Sequence, residues 1–151
     1  MRYTKLVFML LGFAVMLMAA DPFVGTWKLN SAQSKYKTGA PPKEQTVTIS
    51  EEGADMHIMV KGTSSDGQPI SAHYTVPSKG GSGKIVEGTW EGISGKRPSE
   101  TQRETSYTKG GKVVYTTRSK ISSDGKTMTV AVKGTNALGQ MVDGTNVMEK
   151  Q

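Results

Sequence analysis

Short stretches in which apolar and polar residues alternate, each closed by Gly, Asp or Ser, constrain this chain more than any other feature. They run over 23–30, 44–51, 54–62, 68–77, 84–90, 100–108, 112–121, 126–135 and 140–149, and they are rich in Val, Ile, Thr and Tyr. A two-residue period sends alternate side chains to opposite faces of a strand, whereas a helix repeats every ~3.6 residues. Beyond residue 20 nothing sustains the helical period. Pro41–Pro42 and Pro98 fall in the connections 31–43 and 91–99, where a missing backbone N–H does no harm.

The phases of neighbouring stretches make a stricter test, because directly opposed residues on antiparallel strands share a face. Ile49 opposite Met56 and Val47 opposite Ile58 leave the two-residue turn Glu52–Gly53. Met56, Ile58 and Val60 against Ile70, Ala72, Tyr74 and Val76 need an odd loop, and Ser65–Asp66–Gly67 supplies one. Tyr107 opposite Val113 leaves Lys109–Gly110–Gly111, and Ile121 opposite Met128 leaves Asp124–Gly125. Phase and turn chemistry therefore agree at four hairpins. The expected fold is all-β: an antiparallel up-and-down meander of eight or nine strands over residues 21–151, closed into a barrel so that no long edge stays unpaired.

Residues 1–20 are of a different kind. Arg2 and Lys5 precede an uncharged run from Leu6 to Ala20 that ends in Ala19–Ala20. This is the pattern of a secretory signal peptide helix, with cleavage expected after Ala20 or one residue earlier, or else retention as an anchor. Removal takes Arg2 and Lys5 away and lowers the net charge from +6 to +4. The expected location is thus periplasmic or secreted. With no run of five basic residues and no basic helix face, nucleic acid is not expected as a partner. A mean hydropathy of −0.41 does not suit a polytopic membrane protein. An outer-membrane barrel would put Asp55, Lys61, Glu104, Arg118 and Lys133 into lipid, so no stable membrane insertion is expected after leader removal.

Phe23-Val24-Gly25-Thr26-Trp27 resembles the G-x-W opening of lipocalin-like (calycin-type) barrels. The resemblance is to small secreted bacterial proteins of that kind. It implies that Gly25 and Trp27 enter the first strand with the indole plugging the closed end, and that a small molecule binds inside. In that family a basic residue stacks on the Trp; Arg118 and Lys150 are the candidates here. The helix that usually follows the last strand has no counterpart before Gln151. Such barrels take very different ligands, so the likeness selects none.

The hairpin phases turn Arg103, Thr105, Tyr107, Val113, Tyr115, Thr117, Met128, Val130 and Val132 inward with the apolar residues of 56–76. Arg103 is expected opposite Thr117, where it anchors a carboxylate or phosphate, or pairs with Glu87 or Asp143, or faces water. Trp27, Tyr74, Trp90, Tyr107 and Tyr115 are either pocket lining or plain core, and the inward face of 84–90 is left open. The expected ligand-binding set is therefore Arg103, Tyr107, Tyr115, Tyr74 and Thr117.

The outward phase brings His57, Met59 and His73 together, soft ligands that suit copper(I), or three solvent-facing residues without common geometry. No cofactor is expected. The chain has no Cys, which removes disulfides, thiolate metal sites and a cysteine nucleophile. Gly80-Gly81-Ser82-Gly83 joins two strands and opens no helix, so it reads as a hairpin loop and not as a phosphate cradle. No catalytic motif is found and no pair of carboxylates stands out, so no enzymatic activity is expected. Two readings follow: a carrier with a small amphipathic or hydrophobic ligand in its lumen, or an envelope-associated interaction module with a filled barrel that works through its loops.

Overall fold

A computed structural model describes residues 19–151; the leader expected over 1–20 lies almost wholly outside them. Twelve strands form one antiparallel sheet, and no helix occurs among the described residues. They are β1 (Gly25–Leu29), β2 (Lys35–Thr38), β3 (Glu44–Glu52), β4 (Asp55–Thr63), β5 (Pro69–Pro77), β6 (Gly81–Ser82), β7 (Lys84–Glu87), β8 (Gly92–Ser99), β9 (Gln102–Lys109), β10 (Lys112–Ile121), β11 (Thr127–Thr135) and β12 (Met141–Lys150). The sheet runs β6-β8-β9-β10-β11-β12-β1-β3-β4-β5-β7, so it is an up-and-down meander, and it curls into a nearly closed barrel.

The count exceeds the eight or nine expected because three connections carry strands of their own. β6 lies in the expected hairpin loop 80–83, where Gly81 and Ser82 pair with Gly95 and Ser94 of β8. β8 occupies most of the expected loop 91–99 and pairs with β9 from Gly92 to Ser99, with a register shift between Lys96 and Ser99 where Pro98 sits. β2 lies inside the expected loop 31–43 and continues the β1 position along β12, with Tyr36 opposite Gly144. The stretch 84–90 ends as a strand at Glu87.

Closure depends on residues 81–87. Gly81 and Ser82 pair with β8, and Lys84 to Glu87 pair with β5, so one short segment zips both flanks. Gly83 is the crossover point: its N–H donates to the Ile93 carbonyl at 2.9 Å, and a Cβ there would collide with the Thr75 carbonyl. Gly83→Ala is expected to cost about 1–3 kcal/mol as forced overpacking. Urea unfolding checks this, with wild-type stability as the contrary result.

Face assignments from phase hold almost throughout. Ile58 opposes Tyr74 and Met56 opposes Val76, with Gly67 at positive φ, as expected. Ile121 opposes Met128, also as expected, although the Gly125 N–H bonds to the Ser122 carbonyl at 2.9 Å and the loop is four residues long. Two registers are shifted by two residues, which preserves the faces. Ile49 opposes Ile58 and not Met56, so the turn is Gly53–Ala54 in place of Glu52–Gly53.

Tyr107 opposes Tyr115, not Val113. Here Gly110 and Gly111 both take positive φ (58° and 71°), which makes a two-residue turn. A bulge between Val113 and Tyr115 then restores the phase. Val113 is consequently exposed, against the expectation that it faces inward.

Candidate functional site

The barrel has a packed end and an open end. At the packed end Trp27 is completely buried, and its Nε1–H donates to the Phe23 carbonyl at 2.9 Å. Lys150 lays its ammonium 5.3 Å from the indole centroid, so it is the stacking cation; Arg118 instead pairs with Glu104 at 3.4 Å on the outer surface. Gly25 is required first by its backbone, with φ at +141°, and a Cβ there would also sit 2.8 Å from Cε near the movable tip of Lys150. The glycine of G-x-W is thus a conformational requirement, and the space it leaves is occupied by the end of the Lys150 side chain.

Arg103 is buried beside this plug. Its Nη1 donates to Met56 Sδ at 2.7 Å and to the Ser78 carbonyl at 3.2 Å, and Nη2 donates to the Pro77 carbonyl at 3.3 Å. It faces Ser119 across β10, not the expected Thr117, because of the same two-residue shift. Neither Glu87 nor Asp143 is its partner, and no ion pair reaches it among the described residues. Burial and the neighbouring Arg97 pull its pKa below the ordinary guanidinium value, while Asp21 and Glu51 oppose the shift. Arg97 and Arg103 flank Phe23, with guanidinium carbons 5.6 and 5.8 Å from the ring centroid. Arg97 also pairs with Asp21, itself largely buried, which fastens the start of the barrel chain to β8.

Above this floor lies a cavity of about 170 Å³. One wall, from β3, β4 and β5, is apolar: Val47, Ile49, Ile58, Val60, Ile70 and Ala72. The other carries polar groups: Thr105, Thr117 and Ser119 from β9 and β10, Asn146 from β12, and Tyr36 from β2. Tyr36 donates to Asn146 Oδ1 at 2.9 Å. Tyr36 does not stand out in the sequence, because K-Y-K-T has too little apolar content to announce a strand, and Asn146 is a single polar residue inside the recognised stretch 140–149.

Four aromatic residues gather toward the open end. The Tyr107 hydroxyl donates to that of Tyr74 at 2.8 Å, and the two rings meet edge to face at 5.5 Å. Trp90 lies 4.2 Å from Tyr107 and stacks on Tyr115 at 5.4 Å, with only 10° between the planes. Burial raises the pKa of Tyr74, Tyr107 and Tyr115, most clearly for the latter two. Trp90 reaches this position from the loop after β7, and on β7 itself Ile85 packs on the core while Val86 is exposed. Rim loops meet beside it: Thr89 Oγ1 donates to the Ala137 carbonyl at 2.8 Å, and Gln140 Nε2 donates to Asp66 at 3.2 Å.

All five residues expected to bind a ligand thus line one cavity: Arg103 at its floor, Thr117 on its polar wall, and Tyr74, Tyr107 and Tyr115 in the aromatic group. Trp27 is plug and not lining. On the outer surface Met59 opposes His73, and the His57 and His73 rings lie 5.8 Å apart. Comparison with protein families and with curated proteins finds no match to this chain.

Proposed function

We propose that this protein is a lipocalin-like carrier, exported by its leader and without catalytic activity, that holds one small amphipathic molecule in its lumen. The observation that supports this most directly is an unfilled cavity of about 170 Å³ with one apolar and one polar wall. A barrel of eight strands either fills itself with side chains or keeps room for one guest, and the interior widens as strands are added, as in this longer sheet. An apolar cavity of about 150 Å³ accepts benzene, so the guest is of single-ring size and well below the range of drug-sized pockets. Apolar contact with the β3–β5 wall supplies affinity at roughly 25 cal/mol per Å² buried. Arg103 brings a positive charge with no ion-pair partner among the described residues to the floor, which favours an anionic or strongly dipolar head group. The hydroxyls of Tyr107 and Thr117 then orient the polar edge.

Benzoate and phenol are suitable probes, the first testing the charge at the floor and the second the polar wall. Titration followed by calorimetry and by native mass spectrometry is expected to show a single site. Thr117→Phe, which places a ring in the lumen, is expected to weaken binding at least tenfold. If neither probe binds at millimolar concentration, or if Thr117→Phe leaves affinity unchanged, the carrier reading is overturned.

A further inference from the structure

We propose that the outer surface of β4 and β5 binds one soft monovalent metal ion, copper(I) or silver(I), through His57, Met59 and His73. Register brings the three together. Met59 and His73 are direct cross-strand partners, and His57 is the same-face neighbour of Met59 one pleat along. The two imidazole rings stand 5.8 Å apart, centroid to centroid, and are tilted by 41°.

The second observation is an orphan. His73 Nε2 is shielded from solvent, yet it has no hydrogen-bond partner among the described residues. A buried polar atom without a partner is costly, so folded chains rarely keep one without a use. Metal coordination is such a use, because it needs an unengaged nitrogen lone pair. At His57 the Glu52 carboxylate lies 3.3 Å from Nε2. It favours the tautomer with hydrogen on Nε2 and so leaves the Nδ1 lone pair free, as an outer-shell carboxylate does at many metal-bound histidines. Met59 is 43% exposed, which gives an ion a way in.

The donor set selects the metal. Thioether and imidazole together suit a soft d10 cation. Harder ions lack ligands here, since no three His, Asp or Glu side chains converge among the described residues. Local charge is compatible with a monovalent ion: Lys61 is balanced by Glu87 at 3.8 Å, and Glu52 contributes one negative charge. The site lies on the opposite face of the sheet from the lumen and stands independently of the carrier reading.

Silver(I) in chloride-free buffer is the redox-inert probe, used with the whole protein carrying 13C-methyl methionine. The expected result is a shift of the Met59 methyl resonance, identified by its disappearance in Met59→Leu. Met59→Leu and His73→Ala are each expected to bind one equivalent less at micromolar silver, while near-UV circular dichroism stays unchanged because both side chains lie outside the core. Copper(I) competition against bicinchoninate is expected to show the same two losses. Silver binding that is indifferent to both substitutions overturns the proposal. So does zinc(II) binding of similar strength that Met59→Leu leaves intact, which would mean that the thioether is no ligand.

Discussion

Trp27→Ala is expected to lower stability by about 3–5 kcal/mol, the range for removing a fully buried large aromatic side chain. Three losses coincide at this position. The indole leaves a void at the packed end, the Phe23 carbonyl loses its donor, and the Lys150 ammonium loses the ring beneath it. For a domain with a total stability of about 5–15 kcal/mol this is a large share, and the thermal midpoint is expected to fall by about 10–15 °C. Lys150→Met keeps the stem over Gly25 and removes only the charge, so it is expected to cost no more than about 1 kcal/mol. Calorimetry of the two variants decides the matter. A Trp27→Ala loss below about 1 kcal/mol would show that the plug is not what holds this end together.

Alkali is expected to unfold the barrel steeply, because two phenols, Tyr74 and Tyr107, are buried in it and a third, Tyr115, is partly so. Desolvation holds the pKa of Tyr74, Tyr107 and Tyr115 above the ordinary value of 10.0, and at Tyr107 and Tyr115 neighbouring phenols add to the shift. Below pH 10 these groups are protonated in both folded and unfolded chains, so their contribution is complete and constant. Above it the unfolded chain ionises while the folded one does not, and stability falls by about 1.4 kcal/mol per pH unit for each such group. The loss continues until pH reaches the folded-state values. Absorbance near 295 nm, followed with circular dichroism, is expected to show most of the phenolate appearing together with loss of structure. Full tyrosine ionisation near pH 10 in a still-folded protein would contradict this.

What the sequence disclosed and what it hid have separate physical causes. Parity along a strand is written in every second residue, so the inward faces of β4, β5, β9, β10 and β11 could be read directly, and with them all five cavity-lining candidates. Absolute register is not written there. A shift of two residues keeps every side chain on its face, and the slip at Ile49–Ile58 left no mark in the alternation. At Tyr107–Tyr115 the paired positive φ of Gly110 and Gly111 and the bulge that follows cancel in phase, which is why only Val113 betrays them. β8 escaped notice because Ser94, Gly95, Lys96 and Arg97 follow Ile93 where apolar residues usually mark a strand. Arg97 stands there for its bond to Asp21, a long-range demand that no local pattern reveals. Trp90 defied assignment for a plainer reason. It lies beyond the end of β7, so strand parity does not govern its direction.

Residues 81–87 hold the two ends of the sheet together with few backbone pairings, two of them on the β8 side and three on the β5 side. When this seam peels away, β5 and β8 are left with unmatched rows of amide and carbonyl groups, while the rest of the ladder stays intact. Such rows recruit the nearest complementary row, and at high protein concentration that belongs to a neighbouring molecule. Partial unfolding should therefore generate edge-joined oligomers before it generates random coil, and the purified protein should be handled dilute when warmed.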